Sequence, residues 1–332
     1  MNTFVDVSAL YLYNIAEQLR LYGAFNNQNS LLDGKLGVAI FLYRYSTIVN
    51  DNLYAQYADG ILDDYITDLS ALDININVVC EIGIGFQYIS THNYAELDDT
   101  FFEDIDQYVY NYVIKKTKGS DVLTQLHTAS YLFFRKEEVL LCRILKKISI
   151  EIKKYLKTIT TLETPFLQFS DNVLQFIIGF LCLCLSANYQ ENNVKSIITM
   201  LQKPIFRNTF IHNRNCYSIM FQYICNQLNI KQQLSISNQD FFKLKSENNS
   251  LQDLIIMNKY EMLYGFPIPQ NLINDLSKVV DQELMIKDFM SILNIKNLCI
   301  NKMPVGLAWL IMKQSEADAN ILHTIRNYVN NR

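Results

Sequence analysis

Apolar and polar positions vary along this chain on two alternating patterns. SLLDGKLGVAIFLYRY from Ser30, VVCEIGIGFQYIS from Val78 and INKMPVGLAWLIMK from Ile300 are apolar nearly all round a helix. Each apolar run starts on small residues, namely Gly37 and Ala39, Gly83 and Gly85, and Gly306 and Ala308. Between such runs lie half-polar stretches, among them NLYAQYADGILDDYITDL and ELDDTFFEDIDQYVYNYV. In the second, Phe101, Ile105, Tyr108 and Tyr112 recur at i, i+4, i+7 and i+11, which predicts one buried helix face. Apolar helices alternating with amphipathic ones predict two layers with the apolar set inside. Small residues at the inner-helix starts let neighbouring helices approach closely.

The apolar phrase repeats. Gly37 and Gly83 lie 46 positions apart. The same step leads to Thr128-Ala129-Ser130 in DVLTQLHTASYLFFR and to Gln175 in FSDNVLQFIIGFLCLCL. A fifth copy begins near Cys216 in NRNCYSIMFQYICNQL, and the 86 positions before the closing copy leave room for a sixth in SLQDLIIMNKYEMLYGF. Seven helix-pair units follow, in an array whose members bury their faces against neighbours. The expectation is an all-α fold forming one domain over residues 1–332, with Asn238–Ser250 and the GFPIPQN stretch from Gly265 as exposed loops. A period of this size also suits an open tetratricopeptide-like solenoid. The helix-initiating G-x-G followed by a bulky apolar run fits a closed ring better.

Composition narrows the function classes. Half of the 332 residues are hydrophobic and the net charge is −4, enough apolar content for a large core. With 29 Lys and Arg against 33 Asp and Glu, the totals give no electrostatic case for nucleic acid or a membrane surface. The apolar stretch Val173–Ser186 contains Gln175 and falls short of the ~20 residues a membrane span needs. The first twenty residues carry Asp6 and Glu17 and do not read as a secretory signal. Seven cysteines without framework spacing predict reduced thiols in a cytoplasmic protein.

LLDGKLGVAIFLYRY with the following NDNLYAQYADGILDDYI, and the closing NKMPVGLAWLIM, resemble the lanthionine synthetase C-like (LanC-like) family of lanthionine cyclases. The resemblance implies an (α/α) toroid of seven inner and seven outer helices. It also implies a role in ribosomal peptide maturation, where cysteine thiols add to dehydrated Ser or Thr to make thioether rings. Its partners would be a precursor peptide or a peptide-modifying enzyme. In such enzymes zinc held by Cys, Cys and His activates the attacking thiol, and a general acid protonates the enolate.

On that resemblance Cys216-Tyr217-Ser218 stands where a Cys-Tyr-Gly motif belongs, making Cys216 a metal ligand and Tyr217 a catalytic neighbour. Asp121, in Asp121-Val122-Leu123, matches the carboxylate that assists catalysis, and an N-cap is the equal alternative. Asp171 or Asn172 occupies the place of an expected histidine. No Cys or His lies between Cys225 and Cys299, so the Cys-His pair of the sixth unit is absent. The first expectation is therefore a degenerate cyclase that binds a peptide or partner protein without a complete zinc site and needs no cofactor. The second is an active zinc cyclase with displaced ligands His212, Cys216 and Cys299. The third is a helical-repeat interaction scaffold. Outside these sets, His127 at the start of the third unit is a site candidate or a structural histidine. His92 belongs at a helix end, His323 on a solvated helix, and Cys182 and Cys184 in the core.

Overall fold

The structure is a computed structural model that describes residues 3–26, 28, 30–69, 75–97, 99–115, 121–161, 171–190, 192–203, 206, 215–230, 247–274, 300 and 303–330. Those residues are helical with short connections, and no strand occurs among them. The chain divides into two compact units, Met1–Tyr108 with Ile268–Arg332 (unit 1) and Val109–Pro267 (unit 2).

Unit 1 holds α1 (Thr3–Tyr22), a 3-10 turn (Gly23–Phe25), α2 (Lys35–Val49), α3 (Asn52–Leu69), α4 (Ile76–Thr91) and the start of α5 (Asp99–Lys115). It ends with α12 (Gln270–Asn274), α13 (Met303–Ala317) and α14 (Ala319–Asn330). Every residue of α2 except Thr47 is buried, whereas α14 buries chiefly Ile321 and Ile325. The buried helices neighbour one another, α2 packing on both α4 and α13, while the amphipathic α3 and α14 cover α2 and α13. Glycine permits close contact at two points, within the turn leading into α2 and between α4 and α2. A Cβ on Gly37 would strike the Leu31 carbonyl oxygen, and one on Gly85 would strike Leu36 of α2 and, at 2.8 Å, Leu31.

Unit 2 holds the rest of α5, α6 (Val122–Phe134), α7 (Glu138–Thr160), α8 (Asp171–Ser186), α9 (Asn192–Leu201), α10 (Asn215–Gln227) and α11 (Glu247–Tyr264). The apolar series again runs in order, α6 on α8, α8 on α10 and α10 on α11. The one-faced α7 covers α6 and packs on α9. The sixth repeat is helical, as its sequence predicts, and α11 also touches α6 and α8. The Ser130 hydroxyl donates to the Leu263 carbonyl, and the Tyr260 phenol donates to the Gln175 carbonyl at 2.8 Å. A helix buried on so many sides gains packing that a purely nearest-neighbour array lacks.

One backbone device marks the repeat independently of its apolar phrase. Asn50, Asn93, Lys136, Asn188 and Asn229 have φ between 51° and 61°, and they follow α2, α4, α6, α8 and α10 in turn. Gly265, at φ 65°, does the same after α11. After α2, α4, α6, α8 and α10 the next amide donates back five residues, as in Tyr94 to Ile89 at 3.0 Å and Tyr189 to Cys184 at 2.8 Å. These are Schellman-type stops, which favour Asn or Gly because other side chains are strained in the left-handed region.

Two sequence expectations shift. The buried face of α5 is Phe102, Val109 and Val113, while Tyr108 is exposed and Phe101, Ile105 and Tyr112 are half-buried. The stripe is rotated by one position, since the valines carry no polar atom and the tyrosines keep their hydroxyls near water. Around Gly265 the chain is non-helical, but Phe266 and Ile268 are buried, so the stretch is only partly an exposed loop. Of Asn238–Ser250, residues 247–250 are helical and the rest lies outside the described residues. No helix among the described residues is long and apolar enough to cross a membrane.

Candidate functional site

Asp121 sits at the N-cap of α6. Its Oδ1 accepts from the Thr124 amide at 2.7 Å and its Oδ2 from the Thr124 hydroxyl at 2.8 Å. The amide bond, seconded by the hydroxyl and the nearby His127, holds the carboxyl below the usual aspartate range. An ionised, doubly hydrogen-bonded carboxylate is a poor proton donor at neutral pH, so the capping role accounts for this residue. His127 lies further along the same helix and is half-buried.

Cys216 is fully buried in the first turn of α10, and Tyr217 beside it is buried too. The Tyr217 ring meets Tyr260 edge-on at 6.2 Å, and Tyr260 meets Tyr264 at 5.4 Å. Tyr264 in turn rests on Gly179 of α8, where a Cβ would lie 2.9 Å from the ring. The Tyr260 phenol is within electrostatic reach of the Cys182 and Cys216 thiols, and burial foremost pushes it well above its ordinary value. Burial likewise pushes the Cys182 thiol up and raises the Cys225 thiol to about 11. Cys216 and Tyr217 thus belong to a buried nest of thiols and phenols.

Zinc, which the family resemblance implies, needs deprotonated thiol and imidazole ligands converging on one point. Among the described residues no group of three or more His, Cys, Asp or Glu side chains could hold a metal ion. Burial that raises the Cys182 and Cys225 thiols works against their thiolate forms. His212 and Cys299 lie outside the described residues, as does the Asp171 side chain; Asn172 is exposed on the first turn of α8. His92 caps the C-terminus of α4, His323 is exposed on α14, and Cys182 and Cys184 are buried, each as the sequence predicts.

The starts of α6 and α8 frame an opening instead. Val122 and Leu123 of α6, Ile152 and Tyr155 of α7, and Val173 and Phe176 of α8 line a cleft of about 350 Å³. Leu123 is 49% exposed in it. Glu151 and Asn172 add polar groups to an otherwise apolar lining. Such a concave apolar slot with few polar groups is the usual form of a ligand site. Of its lining, Asn172 is a position the sequence reading names, and the apolar residues were not chosen from sequence.

A second concentration of chemistry, in unit 1, escaped the sequence reading. Arg44 of α2 has a side chain only 6% exposed, and its Nε donates to Glu316 at 2.8 Å. The guanidinium also lies over the Trp309 ring, 4.4 Å from its centre. Tyr88 is 6.3 Å from Trp309 and stacks on His92 at 4.0 Å, and Tyr94 stacks on Tyr43 at 5.6 Å. Burial and the adjacent Arg44 pull the Lys313 ammonium down to about 7. Beside this cluster, Ser90, Asn93, Tyr94, Glu96 and Phe101 line a wider, open hollow of about 840 Å³. The available signal was Arg44 itself, a cation inside an apolar run that must find a partner or a ring.

No family model matches the chain, no curated protein matches it, and no solved structure matches it.

Proposed function

We propose that this is a peptide-binding helical-repeat protein of ribosomal, lanthipeptide-type maturation, related to the LanC-like cyclases and lacking their complete zinc site. The observation that carries the reading is the apolar cleft at the starts of α6 and α8. There the one carboxylate aligned with family chemistry, Asp121, is engaged in capping its own helix. The thiol aligned with the family's ligand, Cys216, is enclosed among tyrosines. Binding therefore has a surface, whereas thiol activation would have to begin from a buried sulfur. The proposal includes closure of the seven paired segments into an (α/α) toroid, whose repetition the recurring left-handed caps support, and a cytoplasmic setting for the reduced cysteines.

The test is to mix the full chain with a precursor peptide containing dehydrobutyrine and free cysteine, in the presence of zinc. Fluorescence anisotropy reads binding, and alkylation followed by mass spectrometry reads remaining thiols. Saturable binding with thiols lost no faster than in buffer is the expected result. Protein-dependent thiol loss that vanishes in Cys216→Ala would overturn the proposal in favour of an active cyclase with ligands elsewhere.

A further inference from the structure

The near-neutral total hides a division of charge. Unit 1 carries 10 Lys and Arg against 22 Asp and Glu, a net of −12; unit 2 carries 19 against 11, a net of +8. Segregation on this scale governs which partners a surface attracts, whatever the whole-chain sum.

The excess in unit 2 is displayed on α7. Val139, Arg143, Lys146, Ile150, Lys154 and Lys157 follow one another at intervals of three or four, which keeps them on one stripe along this 23-residue helix. All six are exposed, Val139 at 82% and Ile150 at 51%. The opposite face, with Leu145, Ile148, Ile152 and Leu156, is buried. Among the described residues no carboxylate pairs with Arg143, Lys146, Lys154 or Lys157. Lys147 and Lys154 stand one turn to either side of Glu151, which lines the apolar cleft. The stripe of cations and the cleft are thus adjoining parts of one surface.

We propose that this surface docks an acidic amphipathic peptide, whose apolar face enters the cleft and whose carboxylates meet the cations of α7. The inference rests on the peptide-binding reading above and adds the chemical class of the peptide. Charge complementarity selects the acidic partner, and the concave apolar lining selects one with an apolar side. A nucleic acid has no use for a slot of Val122, Leu123 and Val173, and Glu151 within it repels phosphate. A lipid surface needs a convex apolar face, and the α7 stripe offers only Val139 and Ile150. A helical peptide laid along a groove satisfies both halves of the surface.

The test uses the full chain and labelled amphipathic peptides of about 18 residues, long enough for some 27 Å of helix. One peptide has leucines on a single face and glutamates elsewhere, a second replaces the glutamates with lysines, and a third scrambles the acidic sequence. Anisotropy should show the acidic amphipathic peptide binding at least about tenfold tighter than either control, with affinity falling as salt rises. Reversing the stripe with Arg143→Glu, Lys146→Glu, Lys154→Glu and Lys157→Glu should weaken it by about tenfold or more, since several exposed pairs are lost together. Leu123→Lys, made separately at an exposed position, should weaken it without touching the stripe. Equal binding of the lysine peptide would overturn the acidic assignment and leave peptide binding intact. Failure of every peptide to bind would overturn both. Tighter, competing binding of single-stranded RNA or anionic vesicles would replace the peptide with another class of partner.

Discussion

Arg44 in unit 1 and Lys154 in unit 2 carry the same charge in opposite circumstances. Arg44 is enclosed, held by Glu316 and laid over Trp309, so its charge is answered by the fold itself. Lys154 and its companions on α7 are exposed, and no carboxylate of the described residues answers them. A buried cation is intolerable without partners, so its surroundings report on folding. An exposed row of like charges is tolerated by water and contributes nothing to folding, so its arrangement is free to serve a partner. The two regions should therefore fail differently when altered.

The largest effect belongs to the enclosed region. Trp309→Ala removes the ring beneath Arg44 and a fully buried side chain, and should cost about 3–5 kcal/mol in denaturant unfolding. Glu316→Ala leaves Arg44 buried and unpaired. Because the Glu316 side chain is 49% exposed, the cost should be a discounted ~1–3 kcal/mol rather than the full value of a buried pair. If Glu316→Ala is as mild as a surface change, the contrast between the regions collapses.

Lys313 sharpens the same contrast through pH. Its ammonium is depressed to about 7 by burial and then by Arg44, with Glu316 opposing. Between that value and the ordinary lysine value near ~10.4, the unfolded chain binds the proton and the folded chain does not. Stability should therefore rise with pH across that window, and melting of Lys313→Met should lack this rise. Identical pH profiles for the two proteins would show Lys313 to be solvated.

Smaller effects belong to unit 2. Asp121→Ala should cost about 1 kcal/mol by losing the cap, while Asp121→Asn, itself a good cap, should cost a few tenths. A purely structural Asp121 leaves peptide binding unchanged in the Asn variant; its loss there would restore a role in the site. Least of all, Lys154→Glu should change unfolding stability by less than about 0.5 kcal/mol. Read in the peptide assay instead, the same variant should weaken the acidic peptide measurably.

The fold was legible where absence of a side chain matters. Gly85 announces close approach of inner helices, and a Cβ there would strike Leu36 of α2, whereas a Cβ on Gly37 would strike the Leu31 carbonyl in the turn before its own helix. The stops after α2, α4, α8 and α10 were equally readable, because Asn50, Asn93, Asn188 and Asn229 each follow an apolar run within two residues of its end, whereas Lys136 after α6 gives no such signal. The site was less legible. Arg44 is visible as a cation among apolar residues, but Glu316 is 272 positions away and nothing local points to it. The charge division was obscured by summing the chain, since 29 against 33 describes neither unit. Cys216-Tyr217 reads as chemistry only through resemblance; burial among Tyr260 and Cys182 is a tertiary fact that motif adjacency cannot carry.

Zinc content of the purified full chain tests the central claim most directly. After equilibration with excess zinc and removal by a competing chromogenic chelator, the account predicts well under one retained zinc per chain, unchanged by Cys216→Ala. One zinc held per chain, and lost in Cys216→Ala, would contradict it and make the thiol nest of unit 2 a metal centre.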